Sequence, residues 1–577
     1  MWKGKGLEVD LSDGSVEKIE TPSSFLRDFL GGRGLGVRIL TEHLGAGADP
    51  LSGENEIVFA TGPLVGLTPL SARCAAVTKS PLTGTILDSS VGGSFGVWMK
   101  RTGWDFVCLK GRNKEPAALI LDDSEAKIKP AGDLWGKNTG DSFDLLERSY
   151  PGSKSFVIGR AGERKVLYAC AISDMRHAFG RGGIGAVMGS KNLKAVVVKR
   201  SKARPLPLDP TAFEKAEKEA IRLIRASPVL SGGLKSYGTA AIAGVVGYLG
   251  IMPRSNFRQV GGKCELIEGE QIARSGKIRR RPCHGCPIGC KRVLLKEETS
   301  EDTGEGGKQR EIDVPEYETL WAFGPNLECE DLEAIFEANR ICNEYGMDTI
   351  SAGGTIAACA EEDFERLKEK GRLAQWLKRI GEGEDEAGQG SARVSPKTSM
   401  TIKGMELPGY DPGGALGQSL SYATSNRGGC HLRAYMIGPE IMGKPKQIDR
   451  LSFAGKPGLV YRFQNLAAAV DSLIMCKFSS FALGEEEYAN LLSAAVGEYY
   501  SPEDLLKTGE RIYNLERLFN LREGFGKKDD TLPERAFERV DREEFERALF
   551  EYYCWRGWDE EGAPRQEKLK ELNIEPL

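Results

Sequence analysis

The segment Cys283-His284-Gly285-Cys286-Pro287-Ile288-Gly289-Cys290 places three thiols in one short loop. Three cysteines at this spacing, with a fourth from a distant part of the chain, are a recurrent way to hold a four-iron cluster. The glycines and Pro287 supply the turns that such a loop needs. A zinc site is the alternative, because CxxC with a further Cys or His also builds tetrahedral zinc centres. The spacing favours the 4Fe-4S cluster, since His284 lies between two cysteines, where it is poorly placed as a fourth ligand.

Length and composition indicate a globular protein of several domains. The 577 residues suffice for about two to four domains with a substantial core, and the formal charge of -4 gives no global case for binding nucleic acid or an anionic membrane. No segment approaches the roughly 20 apolar residues that span a bilayer, and the first residues lack the apolar core of a signal peptide. Because the 13 cysteines are odd in number and grouped in a metal-like motif, we expect a reducing, cytoplasmic location.

Glycine is unusually frequent, with 71 residues that crowd into the first 200 positions and around the cysteine loop. Three runs stand out, at residues 31–36, 92–96 and 180–191, and two of them carry basic residues. Backbone amides in such loops bind phosphate, and adjacent Arg or Lys adds charge. Tight turns explain any one run, but three in one region predict a large phosphate-bearing cofactor.

The pattern of short and long periodic segments predicts an α+β fold. The first 200 residues show short strands separated by glycine turns, which indicates a sheet-rich cofactor-base domain over residues 1–206. Helical patterns then predict two mainly α-helical domains, residues 207–406 with the cysteine loop and residues 407–577. Two polar stretches, residues 297–313 and 381–390, are expected to be exposed excursions without a catalytic role.

Several motifs in a fixed order resemble one family along nearly the whole chain. They are Gly31-Gly32-Arg33-Gly34, Thr78-Lys79-Ser80-Pro81-Leu82-Thr83-Gly84, the run from Gly180 to Lys194, the cysteine loop, Tyr422-Ala423-Thr424-Ser425-Asn426-Arg427-Gly428, and the segment from Asp471 to Lys477. The chain resembles the aldehyde ferredoxin oxidoreductases, in which two pterin dithiolenes hold one tungsten beside a 4Fe-4S cluster. Molybdenum is not separated from tungsten by the sequence, since both use the same ligands.

The resemblance implies how the N-terminal domain would hold this tungsten bis-pterin. Arg73 and Arg181 would face the pterin phosphates. The backbone around Ser90, Gly92, Phe179 and Gly180 would approach those phosphates and a bridging Mg2+ ion. Family members often have Asn where this chain has Ser90, which matters little if the backbone carbonyl is the ligand.

The family's paired pterin-binding motif is degenerate in both copies here. The first copy is Asn343-Glu344-Tyr345-Gly346-Met347-Asp348, and the second is Asp471-Ser472-Leu473-Ile474-Met475-Cys476. By resemblance, Asp348, Asp471 and Met475 would bind the pterins, and Lys477 would bond a pterin or tune the cluster. Cys476 would supply the fourth cluster thiolate. A helix cap and a core helix are the structural alternative for the two copies.

The implied catalytic residues are Glu318 and His431. Both lie in segments that match family motifs, and Glu318 is followed by an apolar stretch that would raise its pKa enough for proton transfer. The implied reaction is oxidation of an aldehyde to a carboxylic acid, or its reverse, of the aldehyde:ferredoxin oxidoreductase type. Two alternatives stay open: the tungsten subunit of an aromatic acyl-CoA reductase, and a cluster-bearing electron-transfer subunit.

The chain departs from the family at a subunit contact. Some homodimeric members share an iron held by Glu and His, yet residues 337–396 contain no histidine. We therefore expect either a dimer that is held differently or, in preference, association with a small iron-sulfur subunit. The expected partners are an aldehyde or carboxylic acid substrate and either ferredoxin or such a subunit, including one within an NAD-linked complex.

Overall fold

The computed structural model describes residues 2–297 and 309–575, and its two large sheets lie within the first 200 residues. In chain order the strands are β1 Lys5–Asp10, β2 Val16–Glu20, β3 Ile57–Ala60, β4 Cys74–Lys79, β5 Ile86–Val91, β6 Phe106–Lys110, β7 Ala117–Leu121, β8 Ala126–Pro130, β9 Lys154–Ile158, β10 Ala171–Ser173, β11 His177–Phe179 and β12 Leu193–Val198. The first sheet has the order β2-β1-β6-β3-β4-β5 and the second the order β11-β10-β9-β12-β7-β8. Both sheets are mixed, because β1 pairs parallel to β6 and β12 parallel to β7.

Aromatic side chains join the two sheets. The ring of Phe59 on β3 lies 4.7 Å from that of Phe156 on β9, and Phe156 meets Phe179 edge to face at 5.2 Å. Strands β3, β7 and β12 are buried at every position, which explains their nearly continuous apolar sequences. The sheet-rich region is therefore one packed unit rather than two exposed sheets.

Six helices accompany the sheets. They are α1 Ser23–Phe29, α2 Gly32–His43, α3 Phe95–Arg101, α4 Thr139–Ser149, α5 Arg160–Glu163 and α6 Ile184–Ser190. Helix α2 packs so closely on β4 that a Cβ at Gly36 would come within 2.5 Å of the Val77 side chain. Gly36 thus serves the contact between helix and sheet, whereas Gly32 packs against Asp471 and Ile474 and Gly34 against Phe29 and Ile512. None of the glycines in run 31–36 lines the cavity described below.

The rest of the described chain is mainly helical. The principal helices are α7 Pro210–Ala226, then Tyr317–Phe323, Leu332–Tyr345, Thr349–Cys359, Arg372–Gly381, Leu416–Ala423, Lys456–Ser472, Glu485–Val496, Pro502–Arg522 and Arg542–Arg556. Their starts follow ordinary capping rules, as at α7, where Asp209 accepts from the Ala212 amide at 2.9 Å and proline occupies the first turn. The two longest of the C-terminal helices touch at Gly509, where a Cβ would lie 1.9 Å from the Asn465 carbonyl oxygen.

The α+β prediction is confirmed, and all strands predicted in the N-terminal region are present. The prediction of two exposed excursions needs correction. Residues 298–308 lie outside the described residues, but Gln309–Asp313 pairs with Arg292–Glu297 as an antiparallel strand. In residues 381–390, Ala387 is buried and its carbonyl accepts from the Tyr168 hydroxyl at 2.9 Å. The domain boundaries at 206 and 406 stay predictions.

None of the helices in the described ranges combines the length and apolar character required to cross a membrane.

Candidate active site

A cavity of about 700 Å³ opens between the N-terminal sheets and the later helices. The predicted site residues on its wall are Arg73, Ser90, Gly92, Gly180, Arg181, Cys283, Cys286, Cys290, Glu318, Asp348, His431, Asp471, Met475, Cys476 and Lys477. Residues up to 400 positions apart in sequence thus meet around one space. They line one cavity, and their roles in binding and catalysis stay predictions.

Phe179 is the exception among the predicted residues. Its side chain is fully buried against Phe156, and its backbone pairs with Ala171 of β10. The alternation of strand β11 turns the ring into the core, while the next residue, Gly180, reaches the cavity. The Phe179 ring therefore supports the cavity wall from behind, and the approach of its backbone to the pterin phosphates stays a prediction.

The four cysteines share one wall of the cavity. Cys286 N donates to the Cys283 carbonyl at 3.0 Å, and Gly285 and Gly289 have φ values of 69° and 63°, so the loop needs its glycines to fold back. Cys476 follows the helix Lys456–Ser472 and is anchored by its amide, which donates to the Leu70 carbonyl at 2.9 Å. The fold thus brings Cys476, nearly 200 residues further along the chain, to the same cavity as the loop cysteines.

The spacing of these sulfurs distinguishes between the metal groups considered above. In the described chain, His43, Glu56 and Cys108 are the one group of three or more His, Cys, Asp or Glu donors that all lie within 4.8 Å of one another. No three of the cavity cysteines meet that limit, whereas sulfurs that share a zinc ion at about 2.3 Å lie only about 3.8 Å apart. The wider arrangement favours a larger, multi-iron group over one zinc ion.

The loop thiols are poor thiolates on their own. Burial raises the pKa of Cys283 and Cys290, and burial with the nearby Cys476 and Cys283 raises the pKa of Cys286 to about 12. Because metal ligation requires thiolates, these groups need a compensating positive charge. A bound metal cluster would supply that charge.

A network of buried ions lies beside Cys476. Arg33 Nη1 lies 3.3 Å from Asp471 Oδ2, and Lys477 Nζ lies 2.9 Å from Asp471 Oδ1. Arg33 Nε also lies 3.5 Å from Asp88, which Arg433 contacts as well. Although burial alone would raise the pKa of both aspartates, these cations hold it below the usual range. Asp88 and Asp471 are therefore charged at neutral pH.

Sequence reasoning assigned no role to Asp88, Arg427 or Arg433, all of which line the cavity. Arg427 and Arg433 were visible inside motifs that resemble the family, which was the available signal. Asp88 lies in a strand of otherwise ordinary sequence, and only the fold shows that it faces two arginines.

Arg181 and Asp348 meet on another wall. Arg181 Nε lies 3.4 Å from Asp348 Oδ2, and its Nη1 donates to the Gly429 carbonyl at 2.6 Å. Asp348 also caps the helix Thr349–Cys359 by accepting from the amides of Ile350 and Ser351. The helix-cap alternative is thus correct for Asp348, and the same carboxylate still lines the cavity.

Arg73, Ser90 and Gly92 form the edge next to the cysteine loop. Arg73 donates to the Ser90 hydroxyl at 2.8 Å and to its carbonyl at 2.7 Å. A Cβ at Gly92 would come within 2.9 Å of Cys283 Sγ and 3.1 Å of His177 Nδ1. Only glycine lets the chain pass this close to the sulfur.

Glu318 and His431 lie side by side on the cavity wall. Glu318 Oε2 accepts from the Gly409 amide at 2.9 Å, whereas neither Glu318 Oε1 nor His431 Nδ1 has a partner within the described chain. Burial raises the pKa of Glu318 to about 8. Burial, with the charges of Arg181 and other guanidinium groups, lowers the pKa of His431 well below 6.5. Near pH 7 the pair is therefore mainly a neutral carboxylic acid beside a neutral imidazole.

Aromatic rings enclose this pair. The ring of Tyr410 lies 5.8 Å from His431 and 5.4 Å from Tyr317, and Tyr435 lies 5.4 Å from Phe481. All four aromatic residues line the cavity. The proton-carrying groups thus sit in an apolar chamber that limits access of water.

Comparison with known proteins places the whole chain in one family. The model of the aldehyde ferredoxin oxidoreductase N-terminal domain matches residues 6–200, and the model of domains 2 and 3 matches residues 215–574. A tungsten-containing aldehyde ferredoxin oxidoreductase of Pyrococcus horikoshii is 39% identical over 99% of both chains. The enzyme of the same name from Pyrococcus furiosus is also 39% identical, over 99% of this chain and 98% of its own.

One less similar sequence and one solved structure also match nearly the whole length of this chain. The WOR-like subunit of an aliphatic sulfonate oxidoreductase from Pyrococcus furiosus is 29% identical over 99% of this chain and 97% of its own. The solved structure of the BamBC active-site complex of benzoyl coenzyme A reductase superposes with a TM-score of 0.84 at 23% identity, covering 99% of this chain and 97% of that one. With both family models matched and relatives near 40% identity, the chain belongs to the aldehyde ferredoxin oxidoreductase family of oxidoreductases.

Proposed function

We propose that this protein oxidises aldehydes to carboxylic acids at a tungsten bis-pterin and passes the electrons through a 4Fe-4S cluster to ferredoxin or an iron-sulfur partner subunit. The observation that carries the proposal is the shared cavity, with Glu318 and His431 on one side and four cysteines on another. The names of the relatives at 39% identity support the same activity. A cytoplasmic location belongs to the proposal, because such a cluster needs a reducing compartment.

The residues around the cavity suit two pterins with phosphate groups. Asp348 and Asp471 offer carboxylates to ring nitrogens, while Arg73 and Arg181 offer guanidinium groups to phosphates. The Nε atoms of Arg427 and Arg433 are buried and have no hydrogen-bond acceptor in the described chain, so they are available to donate to a bound cofactor. The cavity therefore combines donors, acceptors and volume for a large anionic cofactor.

The proposed magnesium site is more constrained. Ser90 was expected to offer its carbonyl oxygen to the ion. That oxygen accepts from Arg73 at 2.7 Å, so a magnesium ion would share it with a guanidinium group. Mg2+ remains part of the proposal on the resemblance alone.

The tungsten centre, when bound, supplies the two-electron oxidation and the polarisation of the substrate oxygen. Glu318 in its ionised form takes a proton, and its Oε1, without a partner in the described chain, is free to do so. Neutral His431 holds a proton with which it bonds the substrate oxygen. One water molecule supplies the oxygen that the acid gains, and each aldehyde releases two electrons and two protons; the surrounding tyrosines limit the access of further water.

The aromatic acyl-CoA reductase stays the second candidate, because aromatic side chains such as Tyr410 and Tyr435 form the chamber around Glu318. A subunit that carries only the cluster is the third.

Metal analysis and an activity panel separate these functions. The protein would be purified anaerobically, analysed for tungsten, molybdenum and iron, and assayed with aldehydes and a viologen dye. About one tungsten and four irons per chain, with aldehyde-dependent dye reduction, is the expected result. The same metals with activity only on aromatic acyl-CoA esters would select the reductase, and iron alone would select the electron-transfer subunit.

A further inference from the structure

The cysteine loop reaches the protein surface at His284. The His284 amide donates to the Gly93 carbonyl at 3.1 Å, and the Gly93 amide donates to Cys283 Sγ at 3.3 Å. The exposed His284 ring meets Trp98 edge to face at 5.6 Å. Trp98 and Cys283 also pack against the same small apolar cluster. A continuous line of contacts therefore connects a proposed cluster ligand with the half-buried Trp98.

Positive charges surround this tryptophan. Arg101 Cζ lies 4.8 Å and Lys154 Nζ 5.8 Å from the centre of the Trp98 ring. Arg200 and Arg204 lie near enough to Arg101 to lower its pKa, in addition to the effect of its burial. No ion pair of these four cations is found within residues 2–297 and 309–575. Trp98, Arg101, Lys154, Arg200 and Arg204 are called the basic patch below.

Several basic residues on the other sides of the loop are neutralised, whereas Arg225 on α7 and Arg280 next to Gly289 have no ion pair within the described residues. On α7, Lys218 lies 2.5 Å from Glu214 and Arg222 lies 2.6 Å from Glu219. On the strand side, Arg281 contacts Glu311. The basic patch is thus a group of four cations without ion pairs in the described residues, gathered around the tryptophan that contacts the loop.

We propose that the basic patch docks a small acidic iron-sulfur carrier protein, which takes one electron at a time from the cluster held by the cysteine loop. This inference rests on the proposed function, because it needs a reduced cluster. Acidic carriers of the ferredoxin type match the patch in charge, and charge complementarity of this kind speeds encounter without requiring a large permanent interface. Trp98 would give the partner a flat apolar centre inside the ring of cations.

Charge reversal tests the proposal on the holoenzyme. The variant Lys154→Glu/Arg200→Glu/Arg204→Glu changes three exposed or half-exposed side chains that neither line the cavity nor ligate the cluster. Lys370→Glu/Lys527→Glu/Lys528→Glu is the matched control, made of exposed lysines that lie away from the loop in the sequence. The probe is a recombinant acidic ferredoxin with two 4Fe-4S clusters. Its Kd is measured by titration calorimetry at low and high salt, and steady-state rates are measured with this ferredoxin and with viologen.

The patch variant should bind ferredoxin at least about tenfold more weakly at low salt, with a smaller difference at high salt. Its KM for ferredoxin should rise while viologen reduction and iron content stay as in the wild type. No binding by the wild type, equal binding by both variants, or dissociation of a homodimer by the patch variant without effect on ferredoxin would overturn the proposal. Loss of aldehyde-dependent viologen reduction in the wild type would instead refute the proposed function.

Discussion

Glu318 Oε1 lies 3.6 Å from His431 Nε2. One of these groups has its pKa raised and the other has it lowered, so each is moved toward its neutral form by the same apolar surroundings. A shift this large at a cavity is typical of groups that transfer protons. The pair, rather than either residue alone, is the unit on which the catalytic predictions depend.

The pH dependence of turnover should follow Glu318. Because a proton acceptor must be ionised, kcat/KM for aldehyde should rise with pH through a midpoint near the Glu318 pKa of about 8. Glu318→Gln should lower kcat by about 100-fold or more and remove this dependence. Glu318→Asp keeps a carboxylate and should keep the rise. Dye-linked rates between pH 6 and 9 measure all three proteins, and a Gln variant with more than about a tenth of wild-type activity would contradict the role.

The buried Glu318 carboxyl should make the folded protein less stable as pH rises from about 4.5 to about 8. In the unfolded chain Glu318 ionises near 4.5, whereas in the folded protein it stays protonated up to about 8. The unfolded state therefore binds fewer protons between these values, and stability falls as pH rises through that range. Glu318→Gln removes the effect, so it should be more stable than the wild type by roughly 3 kcal/mol at pH 7 and about equal to it near pH 4. Denaturant unfolding at both pH values measures the difference; a variant that is less stable at pH 7 would refute it.

Local patterns predicted the strands and the helices, because each depends on residues close together in sequence, whereas the residues on the cavity wall were named from the family resemblance. The alternation of β11 was not used, and it is what turns Phe179 into the core while Gly180 faces the cavity. The partners of Arg33 were beyond prediction for another reason. Asp88, Asp471 and Glu516 reach it only because α2, β5 and two C-terminal helices pack together.

The glycine runs show the same limit. Residues 31–36 and 92–96 both indicate close approach of the backbone to something else. In the first run Gly36 approaches Val77, and in the second Gly92 approaches a cysteine sulfur. The glycine content predicts that the backbone approaches another group closely, but it does not predict which group that is.

Cluster ligation should depend on Cys476 as strongly as on the loop. Cys476→Ser should lower iron and sulfide content to the same extent as Cys286→Ser, since a four-iron cluster needs all four thiolates. Cys554→Ser is the control, because that thiol is exposed and lies outside the cavity. Iron and sulfide analysis with low-temperature electron paramagnetic resonance gives the result. Full iron content in Cys476→Ser would show that the fourth ligand is another group.

Close packing at Gly92 gives a test that leaves every ligand in place. Gly92→Ala would put a methyl group 2.9 Å from Cys283 Sγ and 3.1 Å from His177 Nδ1, so the cysteine loop would have to shift. We expect lower iron content with little change in the far-UV circular dichroism spectrum. Gly132→Ala, where a Cβ meets nothing within 4 Å, should retain full iron content. Equal iron content in the two variants would mean that Cys283 and His177 shift enough to accommodate the added methyl group.

The buried ion network should make Asp471 important for stability as well as for the cofactor. Asp471→Asn keeps the shape but leaves Arg33, Arg433 and Lys477 with less negative charge, and breaking a buried pair in this way costs about 3–5 kcal/mol.

Since the cations lower the pKa of Asp471, its stabilising effect is present above the usual value of 3.8 and is lost as pH falls through the lower pKa of the folded state. The variant should therefore unfold at a lower temperature than the wild type at pH 7, and the gap should narrow toward acid pH. Tungsten content should fall with it, whereas the exposed control Asp123→Asn should change neither quantity. An Asp471→Asn protein with wild-type Tm at pH 7 but no tungsten would assign this carboxylate to the cofactor alone.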